Sequence, residues 1–186
     1  MAGSLIALDR AARIPAKHAL VYTRYLQAPV KEVWPLVSTA EGISRWWVAP
    51  VKSLDLRPGG VFDHHWKNTV SSFEPLRLID FNEAANYDGT GGLRFEIVPD
   101  GKGQTRFVLL STFGPDVIAE GKEPQPHGPG TVWAGVASGW HGAADALEAI
   151  FDDRVSVPDW NDLMVFYQEY LADQFNYIDM VKRTDG

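Results

Sequence analysis

Cysteine is missing from all 186 residues. That excludes disulfides, a thiol nucleophile and thiolate metal ligands, and it is compatible with a reducing compartment. Clustered positive charge is missing as well. The 17 Lys and Arg are outnumbered by 24 Asp and Glu, giving a net charge of −7, so neither nucleic acid nor an anionic membrane surface is expected as a partner. No long apolar run occurs: the stretch from Leu5 to Leu8 stops at Asp9 and Arg10, too short for a signal-peptide core or a membrane span. No Asn-x-Ser/Thr acceptor, internal repeat or low-complexity tract is present, and a cytoplasmic protein is expected.

Aromatic residues, by contrast, are plentiful at 12%, with seven tryptophans in a chain that is 45% hydrophobic. This supply suits either a large core or an aromatic-lined pocket, and for any single tryptophan core packing is the commoner role.

Along the chain, residues 1–17 show no clear period and read as an N-terminal arm. Val21, Tyr22, Thr23 and Tyr25 mark a strand over residues 18–26. Pro29 opens a short amphipathic helix with Val30, Val33, Trp34 and Val37 on one face. Thr39, Glu41 and Gly42 restart a second one that ends at Arg45-Trp46-Trp47. Alternation then predicts strands over 51–56 and 61–67, joined by the tight-turn sequence Arg57-Pro58-Gly59-Gly60. Another strand is expected over 71–81, with Pro75 at an edge or bulge, and a hairpin pairs 93–98 with 105–112 through Pro99-Asp100-Gly101-Lys102-Gly103. Residues 114–130 carry four prolines and four glycines and read as a loop. Trp133, Val136, Ala137, Trp140, Ala144, Leu147 and Phe151 then recur at helical spacing, with Thr131 placed to cap the helix. A last amphipathic helix follows Pro158. The domain plan is an arm over 1–17, a main domain over 18–152 and a C-terminal helical extension over 153–186.

Three stretches carry a family resemblance. Ala28-Pro29 through Val33-Trp34 to Trp46-Trp47, the hairpin Asp55-Leu56-Arg57-Pro58-Gly59-Gly60-Val61-Phe62, and Gly139-Trp140-His141 followed by Leu147 resemble, in this order, motifs of the AHSA-type (heat-shock-protein ATPase activator) branch of the START and Bet v superfamily, or SRPBCC. The resemblance implies an α+β helix-grip fold: a curved antiparallel sheet around a long C-terminal helix, with two short helices after the first strand. The helix after Pro158 is additional to that plan. The resemblance also implies a cavity between helix and sheet; members of the superfamily bind lipids, hormones and polyketides, and some catalyse cyclisation or hydrolysis. Fold alone does not choose among these.

Alternation over 61–67 puts Phe62, His64 and Trp66 on one face and Val61, Asp63 and His65 on the other. Phe62 of the hairpin is expected to face the cavity and to take His64 and Trp66 with it. Histidine titrates near neutrality, which makes His64 the candidate acid/base or ligand-contacting group; the blander role is a core histidine with satisfied ring nitrogens. Trp133, Val136, Ala137 and Trp140 are expected to line the cavity from the long helix, and Phe107 from the strand 105–112. Of the adjacent Trp46 and Trp47 at the mouth, one is expected to point inward. His141, about 100° round from Trp140, is expected on the flank or outside, and Arg94 and Glu96 toward solvent.

No metal is expected, because His64 and His65 cannot share an ion from a regular strand and no His-Glu-x-x-His pair occurs. No cofactor is implied either. Ser138 is one position off a Gly-x-Ser-x-Gly elbow and lies inside a helix, and Gly89-Thr90-Gly91-Gly92 lacks the context of a dinucleotide loop. Along 105–112 both faces are apolar in the middle, so a cover is expected over the outer face, either the helix after Pro158 or a second copy in a homodimer. The leading function is binding of a small hydrophobic, aromatic or polyketide-like molecule under a lid formed by 114–130. The alternatives are a cyclase, dehydratase or hydrolase using His64, and a co-chaperone-like interaction domain.

Overall fold

The computed structural model describes residues 9–16, 19–64, 67–82, 92–112 and 131–184. Among these residues, eight antiparallel strands form one open sheet in the order β1-β2-β8-β7-β6-β5-β4-β3. They are β1 Arg13–Ala16, β2 Ala19–Leu26, β3 Ser53–Leu54, β4 Val61–Asp63, β5 Lys67–Glu74, β6 Leu78–Asn82, β7 Gly92–Pro99 and β8 Thr105–Thr112. Two short helices, α1 Val30–Ser38 and α2 Ala40–Ile43, follow β2; the long helices are α3 Thr131–Ala149 and α4 Trp160–Thr184. This is the helix-grip arrangement that the motifs implied.

Strict alternation builds the inner face. Leu93, Phe95 and Ile97 of β7 and Thr105, Phe107, Leu109 and Ser111 of β8 are buried, while Arg94 and Glu96 point outward, Arg94 pairing with Asp80 across the sheet. The β7–β8 hairpin turns on Gly101 and Gly103, both with positive φ, a backbone state that costs glycine nothing. The β3–β4 turn needs its two glycines for different reasons. Gly59 has φ +82°, whereas an added Cβ on Gly60 would sit 2.1 Å from the Asp55 carbonyl oxygen.

Several boundaries differ from the sequence reading. The strand expected over 61–67 is a hairpin, with Phe62 of β4 paired to Asn68 of β5; His64 to Trp66 hold no Gly, Pro or Asn to announce the turn. The strand expected over 71–81 is likewise two, β5 and β6, and Pro75 sits in the turn between them beside Leu76 at φ 62°. Over 51–56 only Ser53–Leu54 pairs. Part of the N-terminal arm forms edge strand β1, whose register is irregular around Pro15, as proline requires in a sheet.

The largest difference concerns α4. The sequence pattern offers it as a cover for the outer face of β8, yet α4 packs on α3, on the side away from the sheet. Gly135, Gly139 and Gly142 of α3 face Met164, Trp160 and Leu163 of α4 at van der Waals distance. Each glycine costs a helix roughly 1 kcal/mol against alanine, yet a Cβ added at any of the three would meet α4 at 3.7–4.0 Å, so alanine would fit there without moving α4. Leu163, Tyr167 and Leu171 are buried in that contact. Covered on two sides, α3 buries small residues around most of its circumference, among them Ala134, Ala137, Ser138, Ala143 and Ala144. The outward Val108 and Leu110 of β8 remain half-buried.

Candidate functional site

Most of the residues expected to line the interior meet there. Phe62 and His64 are both buried, with ring centroids 4.3 Å apart. Trp47 lies 5.7 Å from Phe62, 5.6 Å from His64 and 4.7 Å from Trp140. Trp46 packs edge-on to Phe95 at 5.5 Å and to Phe107 at 5.8 Å. Pairs of this kind contribute about 0.5–1.5 kcal/mol each beyond area burial. Ala137 is fully buried and Val136 partly so. Trp66, the side chain of Trp133 and the loop 114–130 lie outside the described residues.

Contrary to expectation, Trp46 and Trp47 both face inward. They stand in the irregular turn after α2, where the 100° step of a helix does not apply, and the chain there lets the two rings meet edge to face. Each indole N–H also has an acceptor: Trp46 Nε1 donates to the Leu36 carbonyl at 2.8 Å and Trp47 Nε1 to His64 Nδ1 at 3.3 Å.

That second bond sets the state of His64. An indole can only donate, so Nδ1 accepts and Nε2 carries the proton, which it gives to Asn68 Oδ1 at 2.7 Å. Trp47 and Asn68 together hold the ring in place. Asn68 becomes a neighbour of His64 through the unannounced β4–β5 hairpin, so no strand periodicity could have paired them.

A second buried cluster escaped the sequence reading. Arg24 of β2 points inward and is 2% exposed. Its Nε donates to Asp145 Oδ1 of α3 at 2.7 Å, and Nη2 to the Arg10 carbonyl at 2.9 Å. Arg10 in turn reaches Asp145 and Glu148, both at 2.6 Å. His141 is corrected to a fully buried position, because α4 lies over the flank it was assigned to. Its Nδ1 is 2.9 Å from the Tyr167 hydroxyl, which also receives the Ala12 N–H at 3.0 Å. Its Nε2 stands 3.2 Å from Asp145 Oδ2, close but poorly aligned for a hydrogen bond. Tyr22 closes the cluster by donating to the Ala137 carbonyl at 2.8 Å.

Charge balances here when His141 is neutral, with Arg10 and Arg24 against Asp145 and Glu148. Burial lowers the pKa of His141, the two arginines add to the lowering, and Asp145 only partly opposes it. Burial pushes Asp145 upward, but the His141 interaction and the Arg24 and Arg10 charges outweigh it and hold the carboxyl at about 2. The cluster ties the arm, β2, α3 and α4 together, and its sealed position suits structure better than turnover. A signal for it existed: Arg24 alternates with the inward Tyr22 and Leu26, and His141 and Asp145 are spaced i,i+4.

Two other features bear on chemistry. Among the described residues no group of three or more His, Asp or Glu is placed to hold a metal, and no helix is long and apolar enough to cross a membrane. A shallow depression of about 390 Å³ on the outer sheet face is bounded by Asp80, Asn82, Arg94 and Thr112. It lies behind the sheet from the aromatic cluster, and its Arg94 and Asp80 are already paired.

Helix grip, inward aromatic cluster and terminal helix together define a protein of the SRPBCC fold. A family model described as Activator of Hsp90 ATPase homolog 1-like protein matches residues 27–152, and the chain belongs to that family. No curated relative matches the sequence. Among solved structures it is similar to CalU16 from Micromonospora echinospora (20% identity over 83% of this chain and 86% of that one, TM-score 0.62). It is also similar to the protein encoded by gene BPP1335 of Bordetella parapertussis (20% identity, 87% and 88% covered, TM-score 0.64). A third is the conserved protein of unknown function EF2215 from Enterococcus faecalis (13% identity, 88% and 90% covered, TM-score 0.62). At these identities the likeness defines the fold.

Proposed function

We propose that the chain binds a small hydrophobic molecule, aromatic or polyketide-like, at the seam between α3 and the inner sheet face. The observation that supports this reading is the convergence of Trp47, Phe62, His64, Phe95 and Trp140 from separate elements onto one patch. Such a surface, largely aromatic with a few fixed polar atoms, is what recognition of a flat apolar molecule needs. His64 serves as part of the aromatic wall in this reading, its ring held by Trp47 and Asn68.

N-phenyl-1-naphthylamine, a neutral probe that brightens in apolar surroundings, provides the test. Its fluorescence should rise saturably with one site per chain, and Trp47→Leu should weaken the affinity about tenfold, as expected for a loss near 1.4 kcal/mol. A non-saturating rise, or an affinity unaltered in Trp47→Leu, would count against the site.

The family description supports a second reading, an activating contact with an Hsp90-type chaperone. Assaying such a chaperone's ATPase with the purified chain, with and without a bound probe, separates the two.

A further inference from the structure

Three buried indoles stand in the described aromatic cluster, and two of them are satisfied. Trp46 Nε1 has the Leu36 carbonyl and Trp47 Nε1 has His64. Trp140 Nε1 has no hydrogen-bond partner among the described residues, although the residue is only 6% exposed. An unpaired buried donor costs roughly 1–3 kcal/mol, and native structures keep few of them.

We infer that Trp140 Nε1 is the donor for a neutral carbonyl-type oxygen on a conjugated or aromatic ligand. This rests on the binding reading above and adds the ligand's polar group and its point of attachment. An indole N–H can only donate, so its complement is an acceptor. The acceptor is neutral because Trp47, the ring that Trp140 meets, supplies no cation, and the inward Arg24 is committed to Asp145. A carboxylate there would be buried without compensation, at a cost far above that of a carbonyl.

The surroundings fit a flat body. Trp140 and Trp47 meet at 4.7 Å with their planes tilted by 36°, so a planar ring entering between them must part the two indoles by about 2–3 Å and then replaces one ring contact by two. The edge of the cluster beside Trp140 is thinly covered: Gly139 has no side chain, and its neighbours Val48 and Trp160 are 46% and 50% exposed. A second buried polar atom without a partner among the described residues, the Ser111 hydroxyl, stands on the same inner face, on β8 opposite Leu93.

A matched pair of probes reads the inference directly: 1-acetonaphthone carries the carbonyl, and 1-ethylnaphthalene is nearly its shape without it. Calorimetric titration of the full chain should give about tenfold tighter binding of the ketone, the worth of one hydrogen bond to a previously unpaired donor. In Trp140→Phe the two should bind equally. If that variant fails to fold, the wild-type indole N–H resonance of Trp140 still decides, since it should move downfield with the ketone and not with the hydrocarbon. Equal affinities in the wild type, a preference that survives in Trp140→Phe, or an unmoved Trp140 resonance would overturn the inference alone. Failure of both probes to bind would remove the binding reading and this inference with it.

Discussion

Replacing Asp145 by alanine is expected to destabilise the chain by up to about 3–5 kcal/mol, because it takes the hydrogen-bonded carboxylate from the buried Arg24 and leaves only Glu148, 3.8 Å from its Nε, as counter-charge for two arginines. The guanidinium is 2% exposed and donates through Nε to this carboxylate, and the Arg10 bond at 2.6 Å is lost at the same time. With typical stabilities of about 5–15 kcal/mol, urea unfolding at room temperature should show a large fall in midpoint. A loss under about 1 kcal/mol would mean that the cluster does not hold arm, sheet and helices together. Acid should act through the same group. Asp145 is held at about 2 in the folded chain against 3.8 for the free side chain, so its contribution is fully present above the free value and is lost as pH falls toward 2. The size is roughly 2 kcal/mol. His141 works in the same direction. Its pKa is lowered from 6.5, so the unfolded chain takes up its proton first and stability begins to decline as pH drops through that value. The profile should therefore fall from neutrality downward, and Asp145→Asn should flatten its lower limb.

Phe62→Ala is expected to cost a similar amount, about 3–5 kcal/mol, through a cavity in the aromatic cluster. Phe62 is fully buried and its ring centroid lies 4.3 Å from that of His64, 5.0 Å from Phe81 and 5.7 Å from Trp47. Its removal takes ring contacts from three neighbours held on separate segments, which limits how far the site can collapse. The adjacent Val61 is 42% exposed, and Val61→Ala should stay within about 0.5 kcal/mol. Thermal unfolding of both variants checks the contrast. Equal losses would contradict the assignment of one residue inward and one outward.

Much of this was readable because period and turn chemistry are local. Phe62, Phe95 and Phe107 fall inward by the two-residue repeat of a strand, and the β7–β8 hairpin is announced by glycines that adopt positive φ. On α3 the helical repeat served equally well, since Ala137 and Trp140 share the inward stripe at i,i+3.

What was not readable depends on contacts between distant segments. Trp46 and Trp47 both turn inward because the chain leaves α2 in an irregular turn, to which no period applies. The β4–β5 hairpin carries no turn residues, so Asn68 could not be placed beside His64. His141 falls on the flank of α3 by its spacing, and it is buried because α4 packs on α3 there and brings Tyr167 to its ring, a contact between segments that no local period relates. Arg24 was visible as an inward charge, but its partner lies 121 residues away on α3.

A small apolar molecule bound by this chain is expected to lodge between α3 and the inner sheet face. Isotope-filtered nuclear Overhauser spectra of the labelled chain with unlabelled 1-acetonaphthone measure this most directly, since they list the protein protons that touch the probe. Contacts to Trp47, Phe62, Ala137 and Trp140 are the expected result. Contacts confined to the outer face, at Val108, Leu110 and Arg94, would rule out a site between α3 and the inner sheet face.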